Sequence, residues 1–179
     1  MKMHDLVRFN YCPRCGSQDL QPKDSKAIQC AACGFQYFHN PAPAVAGIIE
    51  QDGKLLLIRR GRDPQKGYLN FPGGFVDYAE SLEEGLGREM REELNLTVVS
   101  RTFLVSDWET YLYREVTYPT TVAFFVIQVA DISLAKAGDD AEGFSFLPVE
   151  EIDPGQLAFK SSRTAIKIYK EWRKNGKLH

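Results

Sequence analysis

All four cysteines of the 179-residue chain fall before residue 34. They form two Cys-x-x-Cys pairs, Cys12/Cys15 and Cys30/Cys33, and a glycine directly follows each pair. Two such pairs supply the four thiolates that a tetrahedral zinc ion takes, and disulfide bonds are the alternative for the same pattern. The glycines suit tight turns around a metal, where the chain adopts unusual dihedral angles. The pattern therefore predicts a small metal-stabilised head followed by a cysteine-free remainder.

The N-terminal sequence bears on the choice between zinc and disulfides. MKMHDLVRFNYC lacks the apolar core of a signal peptide, and the longest apolar run, residues 122–130, is far shorter than the roughly 20 residues that cross a bilayer. We therefore expect a cytoplasmic protein without membrane association, where structural disulfides are rare. The prediction is a structural Zn2+ in a closed shell of four thiolates, with no position left for substrate.

Composition is that of an ordinary folded protein, with 44% hydrophobic and 26% charged residues and a formal net charge of -2. The scattered Lys and Arg give no basic surface, so a nucleic-acid partner is not expected. The prolines Pro41 and Pro43 predict a stiff linker after the cysteine head. We therefore predict a zinc ribbon at residues 1–39 and a second domain at residues 40–179.

Secondary-structure signals in the remainder alternate between strands and helices. Apolar runs at residues 44–51 and 54–60, separated by Asp52 and Gly53, predict an antiparallel hairpin. Further strands are expected at residues 96–108, 120–130 and 144–148. The order of these elements predicts the α/β class, with a mixed sheet covered by helices on both faces.

Two helices are predicted, each from a start signal. Ser81 and Glu84 have the spacing of a capping box, so the first helix should begin at Ser81. Ser161 or Ser162 is expected to cap the closing helix. The face of that helix that we expect to pack on the sheet carries Ala165, Ile166, Tyr169 and Trp172.

A cluster of carboxylates lies within the first predicted helix. Glu89, Glu92 and Glu93 are three and four residues apart, so they share one helical face. Carboxylates this close repel one another unless a cation lies between them, and Mg2+ or Mn2+ takes such oxygen ligands. The alternative is a solvated acidic helix, which suits Glu83 and Glu84 because first-turn carboxylates complement the helix dipole.

The residues around this cluster resemble the signature of the Nudix hydrolase family, G-x5-E-x7-R-E-U-x-E-E-x-G-U, where U is aliphatic. The matching residues are Gly74, Glu80, Arg88, Glu89, Met90, Glu92, Glu93 and Leu96. Asn95 stands in place of the second glycine, and asparagine also tolerates a left-handed helix end. A four-cysteine ribbon joined to such a domain is similar to the NADH pyrophosphatase group. The resemblance implies a Nudix α/β/α sandwich preceded by a zinc ribbon.

The resemblance also implies a reaction and the residues that perform it. Water would attack a phosphorus of a nucleoside diphosphate derivative, assisted by Mg2+ or Mn2+. Glu89 and Glu93 are the expected principal metal ligands, Glu92 is a further ligand or the base, and the Gly73 carbonyl is an extra ligand. From a late loop, Glu142 in the acidic run at residues 139–142 is expected to add another.

Three arginines and Glu80 are assigned from their positions. Arg88 is expected to orient the carboxylates by pairing with Glu84 or Glu92, which lie one turn away. Glu80 and Gly74 belong to the motif as structural residues. Arg59 and Arg60 end the second strand, and they are either phosphate contacts or solvated surface groups.

The residues that would select the substrate lie downstream of the signature. NADH pyrophosphatases carry an SQPWPFP-like stretch there, whereas this chain reads SDWETYLYREVTYPTT and keeps Ser106 and Trp108. Tyr111 and Tyr113 are either base-stacking groups, as in dinucleoside polyphosphate hydrolases, or strand residues of the core. NADH, ADP-ribose and dinucleoside polyphosphates all stay open as substrates.

A binding module is the rival to an enzyme. A Nudix fold without catalysis could sense a nucleotide, or bind nucleic acid through the ribbon. The intact carboxylates favour the enzyme, because a sensor has no physical need for three repelling glutamates. A homodimer is compatible with either interpretation.

Overall fold

The structure is a computed structural model that describes residues 9–113, 116–138 and 141–176. The chain divides into two compact units. One contains residues 1–41 and 110–119, and the other contains residues 42–109 and 120–179. The domain boundary that we place between residues 39 and 40 stays a prediction.

The first unit contains a three-stranded antiparallel sheet of β1 (Leu20–Pro22), β2 (Ala27–Cys30) and β3 (Gln36–Phe38), in that order. The glycine after each cysteine pair has a positive φ, 75° at Gly16 and 74° at Gly34. Each glycine donates its N–H to the carbonyl of the first cysteine of its pair, at 2.8 and 2.9 Å. The predicted tight turns are therefore present at both pairs.

The second unit carries the two α-helices and most of the remaining strands. In chain order these are β4 (Ala42–Ile48), β5 (Glu50–Gln51), β6 (Lys54–Arg60), β7 (Leu69–Asn70), β8 (Gly73–Phe75), α1 (Leu82–Leu94), β9 (Val98–Tyr113), β10 (Val116–Val129), β11 (Ala141–Pro148) and α2 (Lys160–Asn175). Short 3-10 helices lie at Ile132–Leu134, Val149–Glu151 and Pro154–Gln156. None of the helices in the described part of the chain is long and apolar enough to cross a membrane.

Strand pairing is mixed, as predicted. One four-stranded sheet has the order β8-β4-β10-β9, in which β4 runs parallel to β10 and antiparallel to β8. The other has β6 between β11 and β5, with β7 also pairing with β6, and all of these pairs are antiparallel. Parallel and antiparallel pairs therefore occur in the same fold.

The predicted hairpin is correct at its turn but not along its first strand. Asp52 and Gly53 have φ angles of 51° and 76°, and the ladder beside them pairs Gln51 with Lys54 and Glu50 with Leu55. The preceding β4 instead belongs to the other sheet, where it pairs with β10 and β8. A turn signal fixes local pairing, whereas the partner of a longer apolar run depends on distant strands.

Alternating residues of β4 and β10 face two separate hydrophobic cores. Ala44, Ala46, Val122 and Phe124 pack on the side of α2, whereas Val45, Ala123, Phe125 and Ile127 pack on the side of α1. Because strand side chains alternate between faces, a sheet buried on both sides reads as a continuous apolar run. The α/β/α sandwich implied by the resemblance is therefore observed.

Helix α1 starts as the sequence predicts. Ser81 is the N-cap, its Oγ accepts the N–H of Glu84 at 3.2 Å, and the Glu84 carboxylate accepts the N–H of Ser81 at 2.8 Å. At the other end Asn95 is left-handed, with φ 56°. Leu86, Met90 and Leu94 bury the core-facing side of the helix. Asparagine therefore takes the conformation for which glycine is usual.

Helix α2 corrects one prediction. It is capped by neither Ser161 nor Ser162, because it begins at Lys160 after Phe159, which makes no side-chain cap. Both serines are buried inside the first turn, where Ser161 Oγ donates to Glu109 at 2.8 Å and Ser162 Oγ donates to Asn70 at 2.7 Å. A carboxylate from β9 thus meets the helix start, and sequence alone does not show that tertiary contact. The predicted apolar face of α2 does pack in the core.

Several strand boundaries also differ from prediction. The strand after α1 begins at Val98 rather than residue 96 and extends to Tyr113, and the last strand starts at Ala141 rather than residue 144.

Pro43, placed in the linker, lies in β4 opposite Thr121. Proline is tolerated there because it stands near the start of the strand.

Candidate active site

Strand β8, which lies between β7 and α1, brings two glycines against the helix. Gly73 has φ 145°, and a Cβ there would overlap the Val45 carbonyl oxygen and lie 2.7 Å from Ala46 Cα. A Cβ on Gly74 would overlap the Glu89 carboxylate, 2.7 Å from its carboxyl carbon. Gly73 therefore requires glycine because of its positive φ and the β4 backbone, whereas a side chain at Gly74 would displace the carboxylate of the catalytic candidate Glu89.

Arg88 is the centre of the polar network on α1. Its Nε and Nη2 bind the two oxygens of Glu80 at 2.8 and 3.0 Å, and Nη2 also donates to the Phe75 carbonyl at 2.9 Å. Its Nη1 donates to Glu89 Oε1 at 2.8 Å and to Glu92 Oε2 at 3.0 Å. A guanidinium has five N–H groups, so these bonds occupy all of them. Arg88 therefore joins two of the three glutamates to the loop before the helix.

This arrangement changes how the groups titrate. The hydrogen bonds to Glu80 and then to the other carboxylates hold the pKa of Arg88 above its usual value. The same contact lowers the pKa of Glu80. Arg88 accordingly pairs with Glu92, as predicted, but not with Glu84, whose carboxylate serves the capping box instead. The bidentate partner Glu80 was not anticipated from helical spacing.

The side chain of Glu89 is 14% exposed, whereas that of Glu92 is 59% exposed. Burial raises the pKa of Glu89 and outweighs the opposite effect of Arg88. Desolvation therefore destabilises the ionised form of Glu89, and a further positive charge nearby would stabilise it.

The Glu93 carboxylate contacts Gly73 of β8. Its Oε2 accepts the N–H of Gly73 at 2.7 Å. One turn of α1 thus presents Glu89 beside Gly74 and Glu93 beside Gly73, while Glu92 stays near solvent. Carboxylate oxygens and a backbone carbonyl are the donors that Mg2+ and Mn2+ prefer, so these residue types suit such an ion. Among the described residues, only the four cysteines form a group of three or more ligand atoms within 4.8 Å of one another.

The four cysteines form a second candidate metal site in the first unit. Their Sγ atoms all lie within 4.8 Å of one another, and the Cys12–Cys33 and Cys15–Cys30 sulfur distances are 3.7 Å. That is too long for a disulfide bond, and all four cysteines are free. Sulfurs at the corners of a tetrahedron about 2.3 Å from zinc are about 3.8 Å apart. The cluster therefore fits a tetrahedral zinc ion.

Backbone geometry also favours a thiolate in this cluster. Burial works against ionisation of Cys12, but hydrogen bonds from the backbone of Cys15 and Arg14 and from the Cys15 and Cys30 thiols lower its pKa to about 7. The backbone of Ser17 acts in the same direction at Cys15, but contacts with the other thiols and burial outweigh it and raise the pKa of Cys15. Amides that point at sulfur are what a metal-bound thiolate uses.

A family model described as the NUDIX domain matches residues 39–169, which is well over half of the chain. The chain belongs to the Nudix hydrolase family. It is therefore an enzyme of the class that the signature on α1 predicts, and its relatives support hydrolysis of a nucleotide diphosphate.

Individual relatives agree with this membership. An ADP-ribose pyrophosphatase from Methanocaldococcus jannaschii is 37% identical over 144 residues, which cover 79% of this chain and 80% of that protein. The NAD-capped RNA hydrolase NudC from Haemophilus influenzae is 27% identical over 176 residues, or 93% of this chain. The chain spans 64% of the length of that NudC. A crystal structure of a NUDIX hydrolase from Nitrosomonas europaea superposes with a TM-score of 0.71 and 25% identity over 94% of each chain.

Glu142, the further predicted ligand, and the two arginines considered as phosphate contacts each have a described partner. Glu142 is exposed at an irregularity of β11, and its carboxylate is 3.8 Å from Lys66 Nζ. The neighbouring residues 139 and 140 lie outside the described residues. Arg59 donates to the Gly67 carbonyl at 2.6 Å, and Arg60 donates to the Pro64 carbonyl at 2.9 Å. Both arginines thus brace a loop.

The stretch that replaces the SQPWPFP-like sequence holds a polar cluster that sequence reasoning missed. Asp107 accepts from Lys160 Nζ at 2.9 Å and Thr164 Oγ1 at 2.8 Å, and Glu109 accepts from Ser161. Burial raises the pKa of Glu109 despite the bonds from Ser161. Alternating acids on a strand are the sequence signal for such a cluster, but their partners on α2 are not visible in sequence.

Tyr113, in the first unit, is 51% exposed rather than a core residue.

Proposed function

We propose that this Nudix hydrolase cleaves the diphosphate linkage of a nucleoside diphosphate derivative, with ADP-ribose as the preferred class, and that it requires Mg2+ or Mn2+. The observation that carries the proposal is the trio on α1. Glu89 is packed on Gly74, Glu93 is bonded to Gly73, and Glu92 shares the Nη1 group of Arg88 with Glu89. Arg88 supplies one positive charge to these three carboxylates, and the negative charge that remains favours a bound divalent cation.

The chain's own residues divide the work by position. Glu89 and Glu93 are the principal ligands, with the Gly73 carbonyl as an extra ligand, and a bound divalent ion would neutralise phosphate charge and acidify the attacking water. Glu92, being 59% exposed, can act as a ligand or accept the proton of that water. Arg88 and Glu80 act by positioning, because all five donors of Arg88 are already engaged.

Two substrate classes are favoured by specific relatives. The ADP-ribose pyrophosphatase shares 37% identity with this chain, the higher value of the two curated relatives described above. The second candidate is an NAD-type dinucleotide, since the similarity to NudC covers 93% of the chain. Both are nucleoside diphosphates joined to a second moiety through the same kind of linkage.

We also propose that Cys12, Cys15, Cys30 and Cys33 hold one structural Zn2+ and that residues 1–39 form a ribbon separate from a catalytic domain at residues 40–179. Sulfur spacings of 3.7 Å support a tetrahedral ion. Four thiolates complete its shell, so this ion takes no part in hydrolysis.

A hydrolysis panel tests the reaction and its substrate. ADP-ribose, NADH and a dinucleoside polyphosphate are incubated with the full chain, with Mg2+, with Mn2+ and with neither. We expect turnover only with a divalent ion and the highest kcat/KM for ADP-ribose. Metal-independent turnover would contradict the cation requirement, and a preference for NADH would select the second candidate.

Replacing Glu93 with Gln tests the ligand assignment. Glu93→Gln keeps the side-chain size and an oxygen for the Gly73 N–H, but it removes the charge. We expect kcat/KM to fall about 100-fold, with weaker Mn2+ binding measured by calorimetry. Glu83→Gln is the matched control, because Glu83 is an exposed first-turn glutamate of the same helix. Equal losses in both variants would point to helix charge rather than to metal ligation.

The rival nucleotide sensor gives a different pattern. It would bind a panel member without turnover in any metal condition, and binding would be indifferent to Glu93→Gln.

A further inference from the structure

The C-terminus of α1 needs partners for its last carbonyl groups. Asn95 donates its N–H to the Arg91 carbonyl at 2.9 Å, and Leu96 donates to the Met90 carbonyl at 3.0 Å. The carbonyls of the final residues of a helix lie beyond its own N–H donors and must be satisfied elsewhere. In α1 those residues include Glu93 and Leu94, so their carbonyl groups depend on a segment outside the helix.

Residues 134–138 supply these partners, and we call this segment the strap. Lys136 donates its N–H to the Leu94 carbonyl at 2.9 Å, and Gly138 donates to the Glu93 carbonyl at 2.8 Å. The Asn95 side-chain amide donates to the Leu134 carbonyl at 3.3 Å. The strap is therefore joined to α1 at three successive residues.

Gly138 can lie where it does because it has no side chain. A Cβ there would overlap the Glu92 carbonyl oxygen and lie 3.3 Å from both the Glu92 carbonyl carbon and Glu93 Cα. Each of these atoms belongs to the backbone of the helix, so none can swing aside as a flexible side chain would. Any other residue at 138 must push the strap away from the helix.

Glu93 is consequently held at both ends. Gly73 N–H binds its carboxylate at 2.7 Å, and Gly138 N–H binds its carbonyl at 2.8 Å. We propose that the strap, through Gly138, positions the last turn of α1 so that Glu92 and Glu93 stay in register with Gly73 and Gly74 of β8 for metal binding. Gly138 is thus a positioning residue for the hydrolase, and this role rests on the proposed function.

The physical reason is the narrow tolerance of small divalent ions. Mg2+ demands near-ideal octahedral geometry, and groups that hold its ligands affect affinity almost as strongly as the ligands do. A frayed last turn would let Glu93 rotate away from Gly73 while Glu89, farther from the helix end, stayed in place. The expected defect is therefore weaker metal binding rather than loss of the fold.

Gly138→Ala is the test, with two measurements on the full chain. Hydrogen exchange at the Asn95 and Leu96 amides should accelerate, because their helix end loses its support. Calorimetric titration with Mn2+ alone should show about 10-fold weaker binding, with a matching rise in the Mn2+ concentration for half-maximal hydrolysis. Gly87→Ala is the matched control, since its Cβ would meet only Arg91 Nη1, at 3.5 Å.

A second variant guards against misfolding of the first. Asn95→Gly retains the left-handed helix end but removes the bond to Leu134 without adding any atom to the interface. We expect a smaller change in the same direction, with the circular dichroism of the wild-type chain. Unchanged exchange at Asn95 and Leu96 in Gly138→Ala overturns the proposal, as does faster exchange with unaltered Mn2+ affinity.

The outcome for the wild-type chain separates this inference from the proposed function. If the wild type neither binds Mn2+ nor hydrolyses any panel member, the proposed function fails, and the positioning role fails with it. If the wild type does both and Gly138→Ala matches it, the strap proposal fails while the function stands.

Discussion

Arg88 combines charge with a fixed geometry. Its planar guanidinium reaches two carboxylates of α1, Glu80 and a backbone carbonyl at once, and it is 19% exposed. Such a fork cannot be replaced by an ammonium, which presents a compact point charge on a flexible stem. Glu89 and Glu92 therefore depend on one side chain for part of their arrangement.

Arg88→Lys tests this dependence. Lysine keeps the positive charge but cannot reach Glu80, Glu89 and Glu92 together, so the carboxylates lose their common support. We expect kcat/KM to fall by about 10- to 100-fold. The far-ultraviolet circular dichroism spectrum should stay close to that of the wild type, because the helix itself is retained. Arg91→Lys, an exposed arginine of the same helix, should retain full activity. A silent Arg88→Lys would show that charge alone suffices.

Glu109 makes stability depend on pH. Its folded pKa is raised above the ordinary 4.5, because burial outweighs the bonds from Ser161. Its contribution to stability is therefore fully present below pH 4.5 and is lost as the pH rises through the folded pKa. Glu109→Gln keeps an acceptor for Ser161 and removes the buried charge. In thermal denaturation, the Tm of the variant relative to that of the wild type should be higher at pH 8 than near pH 4. A Tm difference that does not change with pH would contradict this expectation.

At the level of elements, α1 shows local sequence and tertiary contacts acting at opposite ends. Its start is encoded by Ser81 and Glu84, which need only each other. Its end is finished by the strap at residues 134–138, about 40 residues away in sequence. The start of α1 can be predicted from residue spacing, whereas the contacts that complete its end cannot.

Ser81→Ala measures the local signal. Loss of the capping hydroxyl should cost about 1 kcal/mol and lower Tm by about 2–4 °C in a chain of this size. The glutamates lie two or more turns further on, so kcat/KM should change less than twofold. Ser81→Gly is the control, because glycine at an N-cap costs only a few tenths of a kcal/mol. Equal losses for alanine and glycine would mean that the cap is not the cause.

Helix α2 illustrates the opposite case. The serines at its start suit a cap by composition, yet both are buried and bond to β9 and β7. A serine that finds a carboxylate from a neighbouring strand no longer has to cap its own helix. Such an outcome follows from packing of the element on the sheet.

The whole molecule divides into a unit with the cysteine cluster and a unit that contains both described α-helices. The first has a small sheet whose strands have three or four residues each, so little apolar surface is available to hold it together. Metal binding is the natural source of its stability.

Zinc removal provides the test at this scale. We expect one zinc per chain by elemental analysis, lost on treatment with a strong chelator or in Cys30→Ser. Tyrosine fluorescence of the ribbon should change, because Tyr37 and its neighbours lose their packing, while the circular dichroism of the helices should persist. Ser106→Ala serves as the control substitution. A chain that contains no zinc after expression in zinc-supplemented medium would refute the assignment.

The sequence by itself determined the features that depend on near neighbours along the chain. These are the cysteine pairs with their turning glycines, the Asp52-Gly53 turn, the start of α1 and the carboxylate face of that helix. Periods of 3.6 and 2 and the dihedral preferences of glycine and asparagine are local properties, so spacing reveals them. The Nudix signature can also be read from the sequence, because its residues lie in β8, in α1 and in the short segments beside that helix.

The tertiary structure decided what depends on segments far apart. It joined β4 to β10 rather than to β6, brought Glu109 to the start of α2 and gave Arg88 the partner Glu80. It also placed Glu142 beside Lys66 and laid Gly138 on the backbone of Glu92. Each of these contacts forms only when the two cores on either side of the sheet are packed, and the free energy of that packing belongs to the whole domain rather than to any short stretch of sequence.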